Sequence, residues 1–179
     1  MNTYEKLQDK ACKDGIDVID YPFNSNRIDG LYWDGTIAIR KDIETSAEKA
    51  CVLAEELGHY YTSHGNIINM NDVKSRKQER QAREWGFNNR IGLLGIIRAF
   101  EHGCRNRYET AEYLEVTEEY LEEALKCYRS KYGVYKVVDN YAITFIPNLT
   151  VTKLFWLNRS SVLIIKFKGK SIMKKKSEI

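Results

Sequence analysis

The chain has 179 residues, of which 43% are hydrophobic and 30% charged, and this composition excludes a disordered or fibrous protein. Its formal net charge of +3 is too small to indicate nucleic-acid binding by itself. No apolar stretch approaches the roughly 20 residues of a membrane-spanning helix, and the polar start lacks the apolar core of a signal peptide, so we expect a cytoplasmic protein.

The four cysteines form no Cys-x-x-Cys pair and show no regular spacing: Cys12, Cys51, Cys104 and Cys127. Two of them fall on the apolar faces of predicted helices. This pattern is typical of reduced thiols in an intracellular protein, and it favours neither a disulfide framework nor a zinc-thiolate site.

The first third of the chain predicts one helix and a small sheet. Apolar residues recur at helical spacing over residues 3–14, and an alternating stretch at 16–21 predicts a strand. Asp34-Gly35 separates the apolar runs 31–33 and 36–39, which is a strong hairpin signal because glycine readily takes the positive φ of a tight turn. We therefore expect a small antiparallel sheet ahead of the central helix.

The central helix begins with a capping box formed by Thr45 and Glu48 and continues to about residue 62. One side of this helix carries a stripe of small and apolar residues, which predicts its buried face: Ala50, Ala54, Leu57 and Tyr61. The other side is left for polar contacts.

A second helical region extends from about residue 75 to residue 100, with an expected bend or interruption near Gly92 and Gly95. Residues 106–115 and 117–131 follow as two shorter helices that resemble a helix-turn-helix. The second of them carries four glutamates on its first turns, which would repel phosphates: Glu118, Glu119, Glu122 and Glu123. A DNA-binding regulator is therefore the less favoured hypothesis, and we interpret this corner as a scaffold or a docking site for a partner.

The C-terminal part predicts strands over residues 134–165, with Pro147-Asn148 as a turn, followed by a loose basic tail at 166–179. Six lysines crowd this end: Lys166, Lys168, Lys170, Lys174, Lys175 and Lys176. A solubilising role is the simplest interpretation of the tail, and contact with nucleic acid or an acidic membrane is the alternative.

The central helix also carries a candidate metal site. At 100° per residue, Glu55 and His59 lie within ~40° of each other on a face away from the apolar stripe. This i, i+4 spacing is how a helix presents two ligands to one metal, and Glu56 beside them is placed to act as a general base. A solvated acidic face with a structural histidine is the competing interpretation.

A third ligand has to come from another element, and Glu79 is the natural candidate. Ala82 and Gly86 follow it at i+3 and i+7, so they share its helical face. Small residues there, together with Gly58, would allow the two helices to approach closely. Zinc would then have three protein ligands and an open position, as catalysis requires.

In these segments the chain resembles the ImmA/IrrE family of metallopeptidases of phages and integrative elements. The resemblance rests on residues 51–62 (CVLAEELGHYYT), 79–85 (ERQAREW) and 108–117 (YETAEYLEVT), and it extends from about residue 5 to residue 155. It implies an α+β, zincin-like fold that is mostly helical, with a metallopeptidase core at 1–103. The helix-turn-helix-like segment at 104–133 would pack on this core.

The resemblance also implies roles for individual residues. Glu56 corresponds to the general base, and His59 and Glu79 correspond to metal ligands. Glu55 stands where the family's usual motif has its first histidine, and this substitution could weaken zinc binding, favour manganese or mark an inactive relative. His64 could compensate if the helix ends there, although a loop histidine is the simpler interpretation.

By resemblance, the expected substrate is a helix-turn-helix repressor of a phage or mobile element, cleaved by a zinc-dependent endopeptidase. A pseudoenzyme that binds such a partner without cutting it is the alternative that the glutamate at position 55 supports.

Overall fold

A computed structural model describes residues 1–25, 27–62, 73–156, 162–167 and 170–175. The described chain contains the helices α1 (Thr3–Lys13), α2 (Ser46–Thr62), α3 (Val73–Arg90), α4 (Gly92–His102), α5 (Arg107–Tyr113) and α6 (Glu118–Tyr132). Its strands are β1 (Asp17–Tyr21), β2 (Gly30–Trp33), β3 (Thr36–Arg40), β4 (Tyr135–Val138), β5 (Tyr141–Thr144), β6 (Thr150–Lys153), β7 (Phe155–Trp156), β8 (Val162–Phe167) and β9 (Lys170–Lys175). The predicted α+β class, mostly helical, is confirmed.

The first sheet has the strand order β1-β3-β2. Strands β2 and β3 form the predicted hairpin, in which Asp34 and Gly35 have φ values of 48° and 78°, as a type I′ turn requires. Strand β1 pairs with β3 in parallel, so the sheet is mixed, which corrects the expectation of an antiparallel one. The reason is that the chain after β1 passes to the far side of β3, a crossing that no local sequence pattern encodes.

Two hydrophobic clusters meet at α2. The sheet core joins α1 and the first sheet to α2 and consists of Leu7, Ala11, Ile16, Ile37, Ile39, Ile43, Ala50, Leu53, Ala54 and Leu57. The helical core joins α2 to α3, α4, α5, α6 and β5, and its largest members include Phe87, Ile96, Leu121, Tyr128, Ile143 and Phe145. Because neighbouring residues Ala50 and Cys51 belong to different clusters, α2 is buried on two sides.

The predicted interruption of the long helical region falls at Ile91 and Gly92, where Gly92 has a φ of 59° and a new helix begins. Gly95 lies inside α4. The two short helices start at side-chain caps: Asn106 accepts the Glu109 N–H at 2.9 Å, and Thr117 accepts the Tyr120 N–H at 3.1 Å.

The C-terminal strands form two further antiparallel sheets, β4-β5-β6 and β7-β8-β9. Strand β9 lies within the stretch that we expected to be a loose tail, and β8 extends two residues into it. Lysines are compatible with β9 because it is an edge strand of its sheet, where charged residues oppose pairing with another chain. Residues 176–179 lie outside the described part of the chain. Within that part, no helix combines the length and apolar character needed to cross a membrane.

Candidate metal centre

The orientation of α2 follows from its sequence. The Thr45 hydroxyl accepts the Glu48 N–H at 3.2 Å, which caps the start of the helix as the sequence predicts. Of the predicted apolar stripe, Ala50, Ala54 and Leu57 are fully buried, and Tyr61 is partly buried against the same cluster. Leu53, outside that stripe, is fully buried as well. Glu55 and His59 are therefore turned toward α3, and they stay accessible, with 36% and 20% of their side chains exposed.

Helices α2 and α3 approach each other unusually closely through small residues. A Cβ placed on Gly58 would lie 2.2 Å from the Ala82 carbonyl oxygen, and one on Gly86 would lie 3.1 Å from the Ala54 carbonyl oxygen. Residue 58 of α2 meets residue 82 of α3, and the earlier residue 54 meets the later residue 86, so the helices run antiparallel. The predicted close approach is confirmed, and it brings the Glu79 side of α3 against the His59 side of α2.

Three potential ligands come together at this crossing. One ligand atom from each of Glu55, His59 and Glu79 lies within 4.8 Å of the other two. His59 Nε2 lies 3.4 Å from Glu79 Oε2, and 27% of the Glu79 side chain is exposed. The cluster is thus half-buried and open to solvent on one side.

The chemistry of this cluster fits a divalent cation. Ligands bound at ~2.0–2.1 Å in tetrahedral geometry lie about 3.4 Å apart, and His59 Nε2 and Glu79 Oε2 are separated by 3.4 Å. Burial raises the pKa of Glu55, and the negative charge of Glu79 raises it further, so a cation between them would relieve an unfavourable pairing. Imidazole with two carboxylates suits zinc, and manganese is also compatible.

Arg83 is a charged neighbour of this cluster that the sequence analysis missed. Its Nε atom lies 3.6 Å from Glu55 Oε1, and its guanidinium also donates to Glu123 of α6. Burial raises the pKa of Glu55, and the positive charge of Arg83 offsets part of that rise. Arg83 stands four residues after Glu79, so helical spacing could have placed both on one face of α3.

Glu56 is held by the edge strand β2. The Tyr32 backbone N–H donates to Glu56 Oε2 at 2.9 Å. A Cβ on Gly30 would lie 2.8 Å from Glu56 Cγ and 2.6 Å from Val52 Cγ1, so glycine allows β2 to lie directly against α2. Burial, followed by the charge of Glu55, raises the pKa of Glu56 to about 7.

The structure therefore brings Glu55, His59 and Glu79 together, with Glu56 beside them on α2 and directed to β2. The contact of Glu56 with Tyr32 has no counterpart in the sequence pattern. The donor is a backbone N–H 24 positions away, and every residue except proline has such a group, so the residue type at position 32 does not predict the contact. His64, considered as a compensating ligand, lies outside the described residues.

A family model described as the IrrE N-terminal-like domain of Peptidase_M78 matches residues 11–126, well over half of the chain. The chain belongs to this family. Peptidase_M78 is a family of metallopeptidases, so membership implies a metal and a protein substrate. The matched stretch contains α2 and α3 in full and ends inside α6, and the Glu55, His59 and Glu79 cluster lies within it. Neither a search of curated proteins nor a search of solved structures finds a match to the chain.

Proposed function

We propose that this Peptidase_M78 member is a zinc-dependent endopeptidase whose metal is held by Glu55, His59 and Glu79, with Glu56 as general base. One observation carries the proposal: in a chain of a metallopeptidase family, an imidazole and two carboxylates from two helices converge at a solvent-accessible position. Three protein ligands leave a coordination position free for water and substrate, which distinguishes a catalytic site from a closed structural one.

The chain's own residues supply the acid–base chemistry. A divalent cation at this site would supply Lewis acidity, which polarises the scissile carbonyl and makes water easier to deprotonate. Glu56, oriented by the Tyr32 N–H at 2.9 Å, takes a proton from the attacking water and returns it to the amide nitrogen as the C–N bond breaks. Water is thereby added across the peptide bond, giving a carboxylate and a free amine.

Strand β2 supports the binding of an extended substrate. It is an edge strand of the first sheet and lies against α2 beside Glu56. A strand edge with free backbone groups binds an extended peptide by adding it as a further strand. On β2 the Tyr32 N–H is already taken by Glu56, so the peptide would pair with the remaining groups of this edge. A segment bound in this way would pass close to the Glu56 carboxylate.

The specific substrate follows from the resemblance to ImmA/IrrE proteins, and we propose a helix-turn-helix repressor of a phage or mobile element, cleaved in the cytoplasm. Zinc is the preferred metal because imidazole and carboxylate ligands in a three-residue set suit it. Manganese is the alternative, since Glu55 makes the ligand set richer in oxygen.

A catalytically inactive, partner-binding relative is the second candidate, and one contact favours it. Arg83 lies 3.6 Å from Glu55 Oε1, so this carboxylate already has a cationic partner. A metal must compete with that guanidinium for Glu55.

Elemental analysis of purified protein separates these functions. We expect about one zinc per wild-type chain, and little metal in His59→Ala or Glu79→Ala. His102→Ala and Glu112→Ala serve as matched controls, since His102 stacks on Tyr113 and Glu112 is exposed, both outside the cluster. Glu56→Gln should keep its metal and lose cleavage of a quenched-fluorescence peptide library by about 100-fold or more. A wild-type protein that takes up neither zinc nor manganese would favour the inactive relative.

A further inference from the structure

A second concave site lies on the other side of α6 from the metal cluster. It is a groove of about 1000 Å³ bounded by α4, the start of α5, α6 and the segment joining β5 to β6. Its floor is apolar and includes Ile96, Phe100, Leu125, Phe145, Leu149 and Val151. None of the predicted metal ligands lines it, so the proposed peptidase function leaves this groove unexplained.

The rim of the groove is positively charged. Arg105, Arg107, Lys126 and Arg129 line it, against a single acidic residue, Glu122. The Glu122 carboxylate forms two ion pairs, with Arg107 Nη1 at 3.2 Å and with Lys126 Nζ at 3.1 Å. Within the described part of the chain, neither the Arg105 nor the Arg129 guanidinium forms an ion pair, and both residues are exposed. The nearby Glu109 carboxylate accepts the Arg105 backbone N–H at 2.7 Å. The residues that line the groove therefore carry an excess of positive charge, four basic side chains against one carboxylate.

One face of α6 forms a wall of the groove. Glu122, Leu125, Lys126 and Arg129 follow at spacings of three, four and seven residues from the first, so they share one side of the helix. On another side of α6, Tyr128 packs in the helical core, and its hydroxyl donates to the Phe87 carbonyl oxygen at 3.0 Å. The helix that resembles a DNA-recognition helix is therefore anchored in the core and presents a mixed basic and apolar face.

We propose that this groove binds an acidic peptide segment of a partner protein, with apolar side chains of the peptide on the floor and its carboxylates at Arg105 and Arg129. Guanidinium groups bind carboxylates with two parallel hydrogen bonds, and an apolar floor contributes affinity that a charged rim alone does not. The concave apolar floor disfavours duplex DNA, because a phosphate backbone makes no use of buried apolar surface.

A random 12-residue peptide library displayed on phage provides the test. Selection on wild-type protein in EDTA, where metal-dependent cleavage is suppressed, is followed by counter-selection on the double variant Arg105→Glu/Arg129→Glu. The enriched peptides are then synthesised with a fluorescein label and measured by fluorescence polarisation. The matched control is Lys6→Glu/Lys41→Glu, which makes the same change of charge at two exposed lysines outside the groove.

We expect enriched sequences that combine Asp or Glu with large apolar residues, and affinity about tenfold or more weaker for the groove variant but unchanged for the control. No enrichment over the counter-selected pool, or enrichment of basic peptides, would overturn the proposal. An equal loss of peptide affinity in the groove variant and in the Lys6→Glu/Lys41→Glu control would overturn it as well. A 20-base-pair duplex or dodecanoate that binds the groove more tightly than every selected peptide would assign it to nucleic acid or to a small anion instead.

Discussion

Glu55 is the proposed metal ligand that also has a cationic neighbour. Nε of Arg83 lies 3.6 Å from Oε1 of Glu55, so a bound cation would share this carboxylate with the guanidinium. Replacing the carboxylate by a neutral amide removes both charge and donor strength at one position of the ligand set.

We therefore expect Glu55→Gln to weaken zinc binding by more than the roughly 10- to 100-fold that loss of an outer partner costs. Glu55→His should retain zinc and increase the preference for zinc over manganese, because imidazole is a softer ligand than carboxylate. Competition titration with a chromophoric chelator measures both. Glu48→Gln, at an exposed position of the first turn of α2, is the matched control, and equal affinities for all variants would rule out Glu55 as a ligand.

Glu56 gives the metal-free protein a specific pH dependence. Burial first, and then the charge of Glu55, raise its pKa from 4.5 to about 7. A raised pKa means that the folded state holds the proton more tightly than the unfolded state. The stabilisation is therefore complete below the unfolded pKa and is lost as the pH rises toward about 7.

In EDTA, Glu56→Gln should become more stable relative to wild type as the pH rises from 4.5 to 8, by at most about 3 kcal/mol. Urea unfolding at several pH values measures the difference in the free energy of unfolding. Glu119→Gln, an exposed position on α6, should follow the wild type throughout. A constant difference between Glu56→Gln and wild type over this range would contradict the prediction.

At the scale of elements, the crossing of α2 and α3 determines whether the ligands meet. Gly58 touches the backbone of α3 directly: a Cβ there would lie 2.2 Å from the Ala82 carbonyl oxygen. A backbone atom cannot move aside as a flexible side chain can, so the helices themselves must separate. Such a separation moves Glu79 away from His59.

Gly58→Ala should therefore lower the free energy of unfolding by about 1–3 kcal/mol, although alanine is the better helix former by up to ~1 kcal/mol. Its zinc affinity should fall as well. The control is Gly95→Ala in α4, where the nearest atom to an added Cβ is Leu114 Cδ2 at 3.2 Å, the end of a flexible side chain. Urea unfolding measures the stability of both variants, and zinc titration measures their affinity. Equal losses in Gly58→Ala and Gly95→Ala would contradict the prediction.

At the scale of the whole molecule, the two hydrophobic clusters share α2, so we expect them to unfold together. Leu53 of the sheet core and Leu121 of the helical core are both fully buried. Each substitution by alanine should cost about 2–5 kcal/mol and lower the Tm of one common transition by roughly 5–15 °C.

Thermal unfolding followed by circular dichroism and by tryptophan fluorescence tests this. The two probes should coincide for both variants, and Leu94→Ala, at a leucine that is 55% exposed, should change the Tm little. Two separate transitions, each sensitive to only one of the substitutions, would show that the clusters are independent. Adding zinc should raise the common Tm, because a ligand of the folded state alone stabilises it.

Local sequence patterns determined where several turns, caps and helix ends of this protein lie. The Asp34-Gly35 turn, the Thr45 cap and the interruption at Gly92 appear in the structure where the sequence predicts them. Each depends on the conformational preferences and hydrogen bonds of a few neighbouring residues, so a short window contains the necessary information. The i, i+4 placement of Glu55 and His59 is local in the same sense, since one helical turn fixes it.

Only the tertiary structure decided the contacts between elements. Three such contacts join residues that are distant in sequence. They are the parallel pairing of β1 with β3, the hydrogen bond from Tyr32 to Glu56, and the ion-pair network of Glu55, Arg83 and Glu123. Small residues at positions 58, 82 and 86 predicted that α2 and α3 could approach. The register that places Glu79 beside His59 depends on how both cores pack at once, because many arrangements of the same elements satisfy the local preferences equally well.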